Sequence, residues 1–350
     1  MNPIVGAPSN LHSCGMGGKL TPPALKSSRL QRYHRIMSLA LPQRDQILQG
    51  IHVLDGGMAS ELEYLGANID GPLWSAHVLE DSPGKITEVH RAYIAAGADI
   101  IETASYQVSR LGYAEVGLPP ESADAALLRS VAIARKAAAE FPARKILIAA
   151  SLGPYGAMLH NGAEYHGNYA CSFADLVAFH RERIAVFADA KGQESPDVLA
   201  FETLPSLSEA EAIGQALARH PNLRAWFTFT CPDRQHVAQG ELLRDCASAV
   251  AWFPQTIAIG VNCTHPDLIP ALIAELRSAS SEPIVVYPNS GEDWDAAARC
   301  WTGKADPEGY GALAVQWFAA GAQIIGGCCR TRPAHIRQVA EAAQQFTPSR

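Results

Sequence analysis

The chain has 350 residues, 48% of them hydrophobic and 18% charged, with a formal charge of -7 at neutral pH. That composition can bury a large core, either in two ordinary domains or in one barrel of alternating strands and helices. An acidic balance with no dense Lys/Arg cluster excludes a nucleic-acid footprint, and no apolar run reaches the roughly 18 residues of a membrane span.

Residues 1–44 stand apart. They carry six Lys/Arg (Lys19, Lys26, Arg29, Arg32, Arg35, Arg44), no Asp or Glu, and scattered Pro, Gly and Ser, while the remainder holds 22 basic and 35 acidic residues. The leader reads as a disordered extension, or as an upstream start with Met37 as the true initiator. An acid-free stretch bearing Arg and Ser also has the composition of an organelle transit peptide over residues 1–36. It lacks amphipathic periodicity, however, so cytoplasmic residence is the preferred reading. Eight cysteines with no recognisable secretory signal read as reduced thiols of an intracellular protein.

Residues 45–350 alternate short β-branched runs with longer amphipathic stretches. The runs predict strands at 51–55, 99–103, 145–151, 198–203, 225–230, 257–263, 284–288 and 323–327. Helices are predicted at 83–96, 122–140, 173–190, 207–219, 242–253, 267–279, 307–320 and 333–345. Their start signals include Ser82 before Pro83, Ser208 followed by Glu211, and Pro333 after Thr331. Strands alternating with helices pair in parallel. Eight such units predict a single-domain α/β fold, a (β/α)8 TIM-type barrel. An internal echo agrees: Tyr93 to Ile101 resembles Trp317 to Ile325, each reading as a helix end, a glycine cap and a buried strand.

In such a barrel the C-terminal ends of the strands build the active site. Here the predicted strands finish in Asp55, Thr103, Ser151, Glu202, Thr230, Cys263, Asn289 and the pair Cys328-Cys329. Thiols at the sixth and eighth strand ends stand roughly 10 Å apart at the backbone, a gap that inward side chains can close around one ion. Gly326 and Gly327 would let the backbone take unusual angles there. Three thiolates suit zinc over magnesium or calcium and leave one coordination place open. A redox-sensing pair and two inert buried thiols are the other readings; a disulfide between adjacent residues is strained. With no His-x-His or His-Glu-x-x-His, the centre suits activation of a substrate thiol better than of water. Coordination deprotonates a thiol that is otherwise mostly neutral at pH 7.

An amino-acid thiol also needs partners for its ammonium and carboxylate. Asp55 and Glu202 are candidate ammonium acceptors; Gly56, Gly57 and the backbone at Thr103 could present N–H groups to the carboxylate. The bland alternatives are a turn or helix cap at Asp55 and a rim salt bridge at Glu202.

By these residues the chain resembles the homocysteine S-methyltransferase family. The resemblance is carried by Leu54-Asp55-Gly56-Gly57-Met58 with Glu61, Glu102-Thr103-Ala104-Ser105-Tyr106-Gln107 and Gly153-Pro154-Tyr155-Gly156-Ala157. It continues through Glu202-Thr203-Leu204-Pro205-Ser206, Val261-Asn262-Cys263, Tyr287-Pro288-Asn289-Ser290-Gly291 and Gly326-Gly327-Cys328-Cys329. Gly-Gly-Cys-Cys with an upstream Asn-Cys is the most specific element. The resemblance implies a zinc-bearing barrel in which Cys263, Cys328 and Cys329 hold the metal and the sulfur of L-homocysteine takes the open place. It further implies that Asp55, Gly56, Thr103 and Glu202 contact the amino-acid end, and that the product is methionine. Cys14, Cys171, Cys231, Cys246 and Cys300 match no ligand motif, with Cys231 the stand-in should one ligand be misassigned.

Asp70-Gly71-Pro72-Leu73-Trp74-Ser75-Ala76 and the segment from Tyr287 to Glu292 resemble the branch using a sulfonium donor, S-methylmethionine or S-adenosylmethionine. A betaine-using relative should carry an aromatic cage, for which Trp74, Tyr106 and Tyr155 are candidates; selenocysteine is an alternative acceptor. Only 21 residues follow Cys329, which disfavours a corrinoid module. Two rival classes are a zinc-dependent barrel hydrolase, with His180 or His265 as base and His180 expected on a helix surface, and a non-catalytic thiol or zinc sensor.

Overall fold

The structure, a computed structural model, describes residues 46–69, 75–295, 300–303 and 305–347. The expectations for residues 1–44 and for segment 70–74, including Met37, Cys14 and Trp74, lie outside the described residues.

The strands are β1 (His52–Val53), β2 (Ile100–Glu102), β3 (Leu147–Leu152), β4 (Val198–Leu204), β5 (Ala225–Phe229), β6 (Thr256–Asn262), β7 (Ile284–Tyr287) and β8 (Ile324–Ile325). Each is followed by a barrel helix: α1 (Pro83–Ala96), α2 (Pro120–Ala138), α3 (Phe173–Asp189), α4 (Leu207–Leu217), α5 (Leu243–Val250), α6 (Ile269–Ala279), α7 (Pro307–Ala319) and α8 (Pro333–Ala343). The strands form one eight-stranded parallel sheet in the order β1-β8-β7-β6-β5-β4-β3-β2. A parallel bridge from Leu54 to Ile100, with Asp99 N–H donating to Val53 C=O at 2.7 Å, joins β1 to β2 and closes the ring. This is the expected single-domain (β/α)8 barrel.

Both faces of the sheet are dry, so the strands read as continuous apolar runs rather than alternating ones. Alternation survives in where each side chain points. Ile100, Leu147, Ala149, Val198, Ala200, Trp226, Val285 and Ile324 fill the barrel interior, joined from below by Leu48 of the first turn. Ile101, Ile148, Leu199, Phe201, Phe227, Ile259 and Val286 belong to the larger core shared with the helices.

Local signals set most boundaries. Ser82 precedes Pro83 at the first position of α1, where a missing N–H costs nothing. Ser172 and Asp175 form a capping box on α3. The two echoed junctions are equivalent: Gly97 (φ 119°) and Gly321 (φ 107°) turn the chain out of α1 and α7 in the left-handed region. One start signal is misplaced. Ser206, not Ser208, caps α4, its hydroxyl accepting from Glu209 N–H at 3.2 Å.

The rim carries elements that the sequence pattern did not reveal. Helices Met58–Tyr64, Ser75–Asp81, Arg110–Glu115 and Tyr155–Met158, and an antiparallel pair of Asp293–Asp295 with Cys300–Thr302, lie between strand ends and barrel helices. Each is too short for its periodicity to stand out. Among the described residues, no helix is long and apolar enough to cross a membrane.

Gly260 of β6 shows how tightly the sheet is built. A Cβ there would lie 1.6 Å from the carbonyl oxygen of Val285 on β7. Gly260→Ala is expected to cost about 3 kcal/mol of unfolding free energy or more. Gly84→Ala on α1, where nothing lies within 4 Å, should stay within about 1 kcal/mol of the parent. Urea unfolding of the two variants side by side checks both values.

Candidate active site

The inward alternation of the barrel strands continues to the rim. Inward Ile100 puts Glu102 on the same face, Ala149 does so for Ser151, Ala200 for Glu202, Trp226 for Thr228, and Val285 for Tyr287. Apolar layers below therefore give way to a polar one at the mouth.

Three carboxyls share that layer. Asp55 follows β1, and its Oδ2 accepts from Glu102 N–H at 3.0 Å while Oδ1 is buried without a partner. Glu202 accepts the Ser151 hydroxyl on Oε1, and its Oε2 faces Asn262 Nδ2 at 3.4 Å. Glu102 has a buried, unpartnered Oε1, and the Tyr287 phenol favours the ionised form of both Glu102 and Glu202. Among the described residues no Lys or Arg pairs with any of the three. Burial pushes the Glu202 carboxyl up to about 7. Burial and mutual repulsion push Asp55 and Glu102 well above the ordinary carboxylate range.

Cys263, Cys328 and Cys329 converge above this layer, with all three sulfurs within 4.8 Å of one another and Cys263 Sγ 3.5 Å from Cys329 Sγ. Cys263 leaves β6 with φ 49°, its N–H held by Tyr287 C=O at 3.2 Å. Cys328 N–H donates to Pro288 C=O at 2.8 Å, and Cys329 N–H to Asn289 Oδ1 at 3.2 Å. The loop leaving β7 thus bridges the two thiol-bearing strands. Hydrogen bonds from Cys263 and Cys328 hold the Cys329 thiol well below the usual range; the same bonds, given by Cys328, push that thiol up.

Gly326 and Gly327 were expected to take unusual backbone angles, but neither has a positive φ. They are small because of contact: a Cβ on Gly326 would meet Asp55 C=O at 2.6 Å, and one on Gly327 would meet Thr331 Oγ1 at 2.3 Å. A Cβ on Gly57 would likewise strike Cys328 C=O at 2.5 Å, so the loop after β1 lies directly on the thiol loop. Tyr93 OH ties the two loops, lying 3.0 Å from Gly57 C=O and 3.1 Å from Thr331 C=O.

The other expected site residues fare unevenly. Asp55 is a rim acceptor rather than a helix cap, and among the described residues Glu202 pairs with no Lys or Arg. The Gly57 amide donates to Thr331 Oγ1 at 3.1 Å and the Thr103 amide to Ala149 C=O at 3.0 Å, so neither is free for a carboxylate. The Gly56 amide has no acceptor among the described residues. The Thr103 hydroxyl lies 2.6 Å from Ser105 Oγ and accepts from Ser151 N–H at 3.2 Å. Cys231 stands outside the thiol group, buried with its pKa driven up by burial. His180 is not on a helix surface: it is fully buried, 2.9 Å from Glu209 Oε1 and 3.0 Å from Arg183. Burial drives His180 down to about 4. His265 Nδ1 accepts from Asp267 N–H at 3.3 Å. Tyr155 packs on Tyr169 and Phe179, with centroids 5.4 and 5.2 Å away, while Tyr106 covers Gly153.

Sequence reasoning passed over two groups. Tyr165 OH lies 3.3 Å from Cys263 Sγ, brought there by a turn (Ala163–Tyr165) seated on Gly156, where a Cβ would meet Glu164 N at 2.6 Å. No sequence signal links residues 98 positions apart. Glu102 is the other: Ile100 and Ile101 are both apolar, so the sequence does not say which of them shares its face.

A parallel barrel with three converging thiols over a layer of acids defines a (β/α)8 protein with a candidate metal centre at its catalytic rim. The profile of the homocysteine S-methyltransferase family matches residues 52–343, and the chain belongs to that family. It is 46% identical over 302 residues to homocysteine S-methyltransferase YbgG of Bacillus subtilis (strain 168), covering 84% of this chain and 95% of that one. It is also 46% identical to homocysteine S-methyltransferase of Escherichia coli (strain K12), over 82% of this chain and 94% of that one. The crystal structure of the homocysteine methyltransferase MmuM from Escherichia coli, in its metallated form, superposes with a TM-score of 0.75 at 41% identity, covering 84% of this chain and 96% of that one.

Carboxyls held above their ordinary range make the folded chain bind more protons than the unfolded one. Stability should therefore fall as pH rises from about 5 toward the folded value near 7 for Glu202, with the penalty complete above it. Glu202→Gln is expected to flatten that slope in urea unfolding of the ligand-free protein; an equally steep slope in the variant would contradict the assignment.

Proposed function

We propose that this protein transfers a methyl group from a sulfonium donor, S-methylmethionine in the first place and S-adenosylmethionine in the second, to the thiol of L-homocysteine, giving methionine. The convergence of Cys263, Cys328 and Cys329 within 4.8 Å carries this reading. Three soft sulfur donors at this spacing fit zinc, whose bonds to sulfur are about 2.3 Å, and suit it better than an oxygen-seeking ion. The chemistry that such an ion supplies is acidification of a thiol sharing the site, so that a thiolate is available near neutral pH. Names of the relatives and the metallated state of the Escherichia coli enzyme support the assignment.

The chain's own residues position the acceptor. Asp55 Oδ1 and Glu202 accept from the α-ammonium, and the Gly56 amide donates to the carboxylate. Burial of both acids strengthens their hold on a cation, because little water competes. The new bond joins the acceptor sulfur to the methyl carbon. The bond broken joins that carbon to the donor sulfonium, whose electrons leave on a neutral thioether, and the thiol proton passes to solvent. A sulfonium is already activated, so no further group carrier is required. Neither histidine named for a hydrolase serves as a free base: His180 is held in the core, and His265 caps its own turn.

Purified zinc-loaded protein should form methionine from homocysteine with S-methylmethionine, more slowly with S-adenosylmethionine and not with betaine; turnover with betaine alone would overturn the donor assignment. Cys263→Ala, Cys328→Ala and Cys329→Ala should each lose bound zinc and at least about 1,000-fold in rate, about 4 kcal/mol of barrier, and normal turnover in a zinc-free variant would sink the mechanism. Glu202→Ala should keep its zinc and raise the KM for homocysteine by about 10- to 100-fold, the worth of a charged hydrogen bond.

A further inference from the structure

The Glu102 side chain is half-buried, and the proposed chemistry gives it no role. It ends β2 with its side chain on the interior face set by Ile100, and its own N–H fixes Asp55 Oδ2 at 3.0 Å. Its Oε1 is buried with no partner, as is Asp55 Oδ1. An unpaired carboxylate oxygen away from water is costly unless something arrives to meet it. Two in one cluster, beside a third acid and with no Lys or Arg paired to them among the described residues, describe a site built for a cation.

Counting protons at Tyr287 sharpens the point. Its phenol oxygen lies 3.3 Å from the Trp226 Nε1–H, which can only donate, and 2.8 Å from Thr228 Oγ1. The hydroxyl proton of Thr228 goes to Asn262 Oδ1 at 2.9 Å. The single phenol proton can go to Thr228 Oγ1 or turn toward one of the two glutamates, whose ionised forms the phenol favours, but not to all three. With the three carboxyls ionised, acceptors outnumber donors around this layer. A primary ammonium reverses that imbalance, since it brings three N–H donors and one positive charge.

Resting on the methyltransferase reading above, we propose that Glu102 is a third carboxyl recognising the α-ammonium of the acceptor, and that it sets the preference for amino-acid thiols over thiols of the same length lacking that charge. A thiol without an amine leaves Glu102 Oε1 and Asp55 Oδ1 unmet, so discrimination comes from unsatisfied acceptors and not from a clash.

The test compares homocysteine with 4-mercaptobutyrate, the same chain without its amino group, in the zinc-loaded wild type, Glu102→Gln and Glu102→Asp. Glu102→Gln is expected to raise the KM and Kd for homocysteine about tenfold or more, the weight of one charged hydrogen bond. Its kcat and zinc content should hold within about twofold, and its affinity for 4-mercaptobutyrate should be unchanged or improved. Glu102→Asp, which keeps the charge, should recover part of the preference. Thermal unfolding without ligand separates recognition from support: a recognition residue leaves the Tm of Glu102→Gln unchanged or higher, because one acid of the cluster is relieved. A lowered Tm with both thiols weakened equally would make Glu102 structural, and unchanged selectivity would overturn the assignment outright. A wild type that turns over no homocysteine would remove the methyltransferase reading itself, and the proposal with it.

Discussion

Everything at the rim depends on carrying thiols from two strands across the exit of a third. β6 and β8 flank β7, and two strand spacings put their ends about 10 Å apart. The gap is closed by backbone, not by long side chains. Pro288 C=O and Asn289 Oδ1, from the loop leaving β7, take the amides of Cys328 and Cys329, while Tyr287 C=O takes that of Cys263. Tyr310 OH lies 3.1 Å from Pro288 C=O and 2.8 Å from Gly326 C=O, fastening the same crossing from outside. The glycines on either side are small because the loops touch. Sulfur positions are thus a property of the whole rim, which is why the three thiols and the β1 and β7 loops constrain one another.

The acids beneath answer to a different constraint. Burial, a backbone donor and the Ser151 hydroxyl surround Asp55, Glu102 and Glu202, but among the described residues no Lys or Arg pairs with them. The unliganded site is electrostatically unfavourable in proportion to how well it would receive a positive charge. Local instability and affinity are two readings of the same field.

Much of this was legible in the sequence because barrels repeat. β-branched runs at regular intervals, a glycine after each of two helices, and polar residues at the strand ends are local signals, and each located an element within a few residues. The Gly-Gly-Cys-Cys run with a distant Asn-Cys was legible because thiols at strand ends have few other uses. What escaped depends on direction in space. Ile100 and Ile101 are both buried, one facing the barrel interior and one the helices, so hydropathy alone could not say that Glu102 points inward and Thr103 does not continue the strand. Ser206 was passed over for Ser208 because both precede a glutamate three residues on, at Glu209 and Glu211. His180 read as a surface residue because its partners Glu209 and Arg183 lie on a neighbouring helix and one turn away. Tyr165 reaches Cys263 through a rim turn that no periodicity announces.

Four residues other than glycine have positive φ among the described residues, and three of them are Thr203, Cys263 and Arg330, at 60°, 49° and 65°. Thr203 follows Glu202, Cys263 is a thiol ligand candidate, and Arg330 follows Cys329. Backbone preference alone would write glycine or asparagine at such angles. A protein engineer who restored that preference at position 263 would relieve local strain and delete a sulfur in the same stroke. Selection for foldedness and selection for chemistry therefore pull this position toward different amino acids, and the cysteine that stands there records which of the two has prevailed.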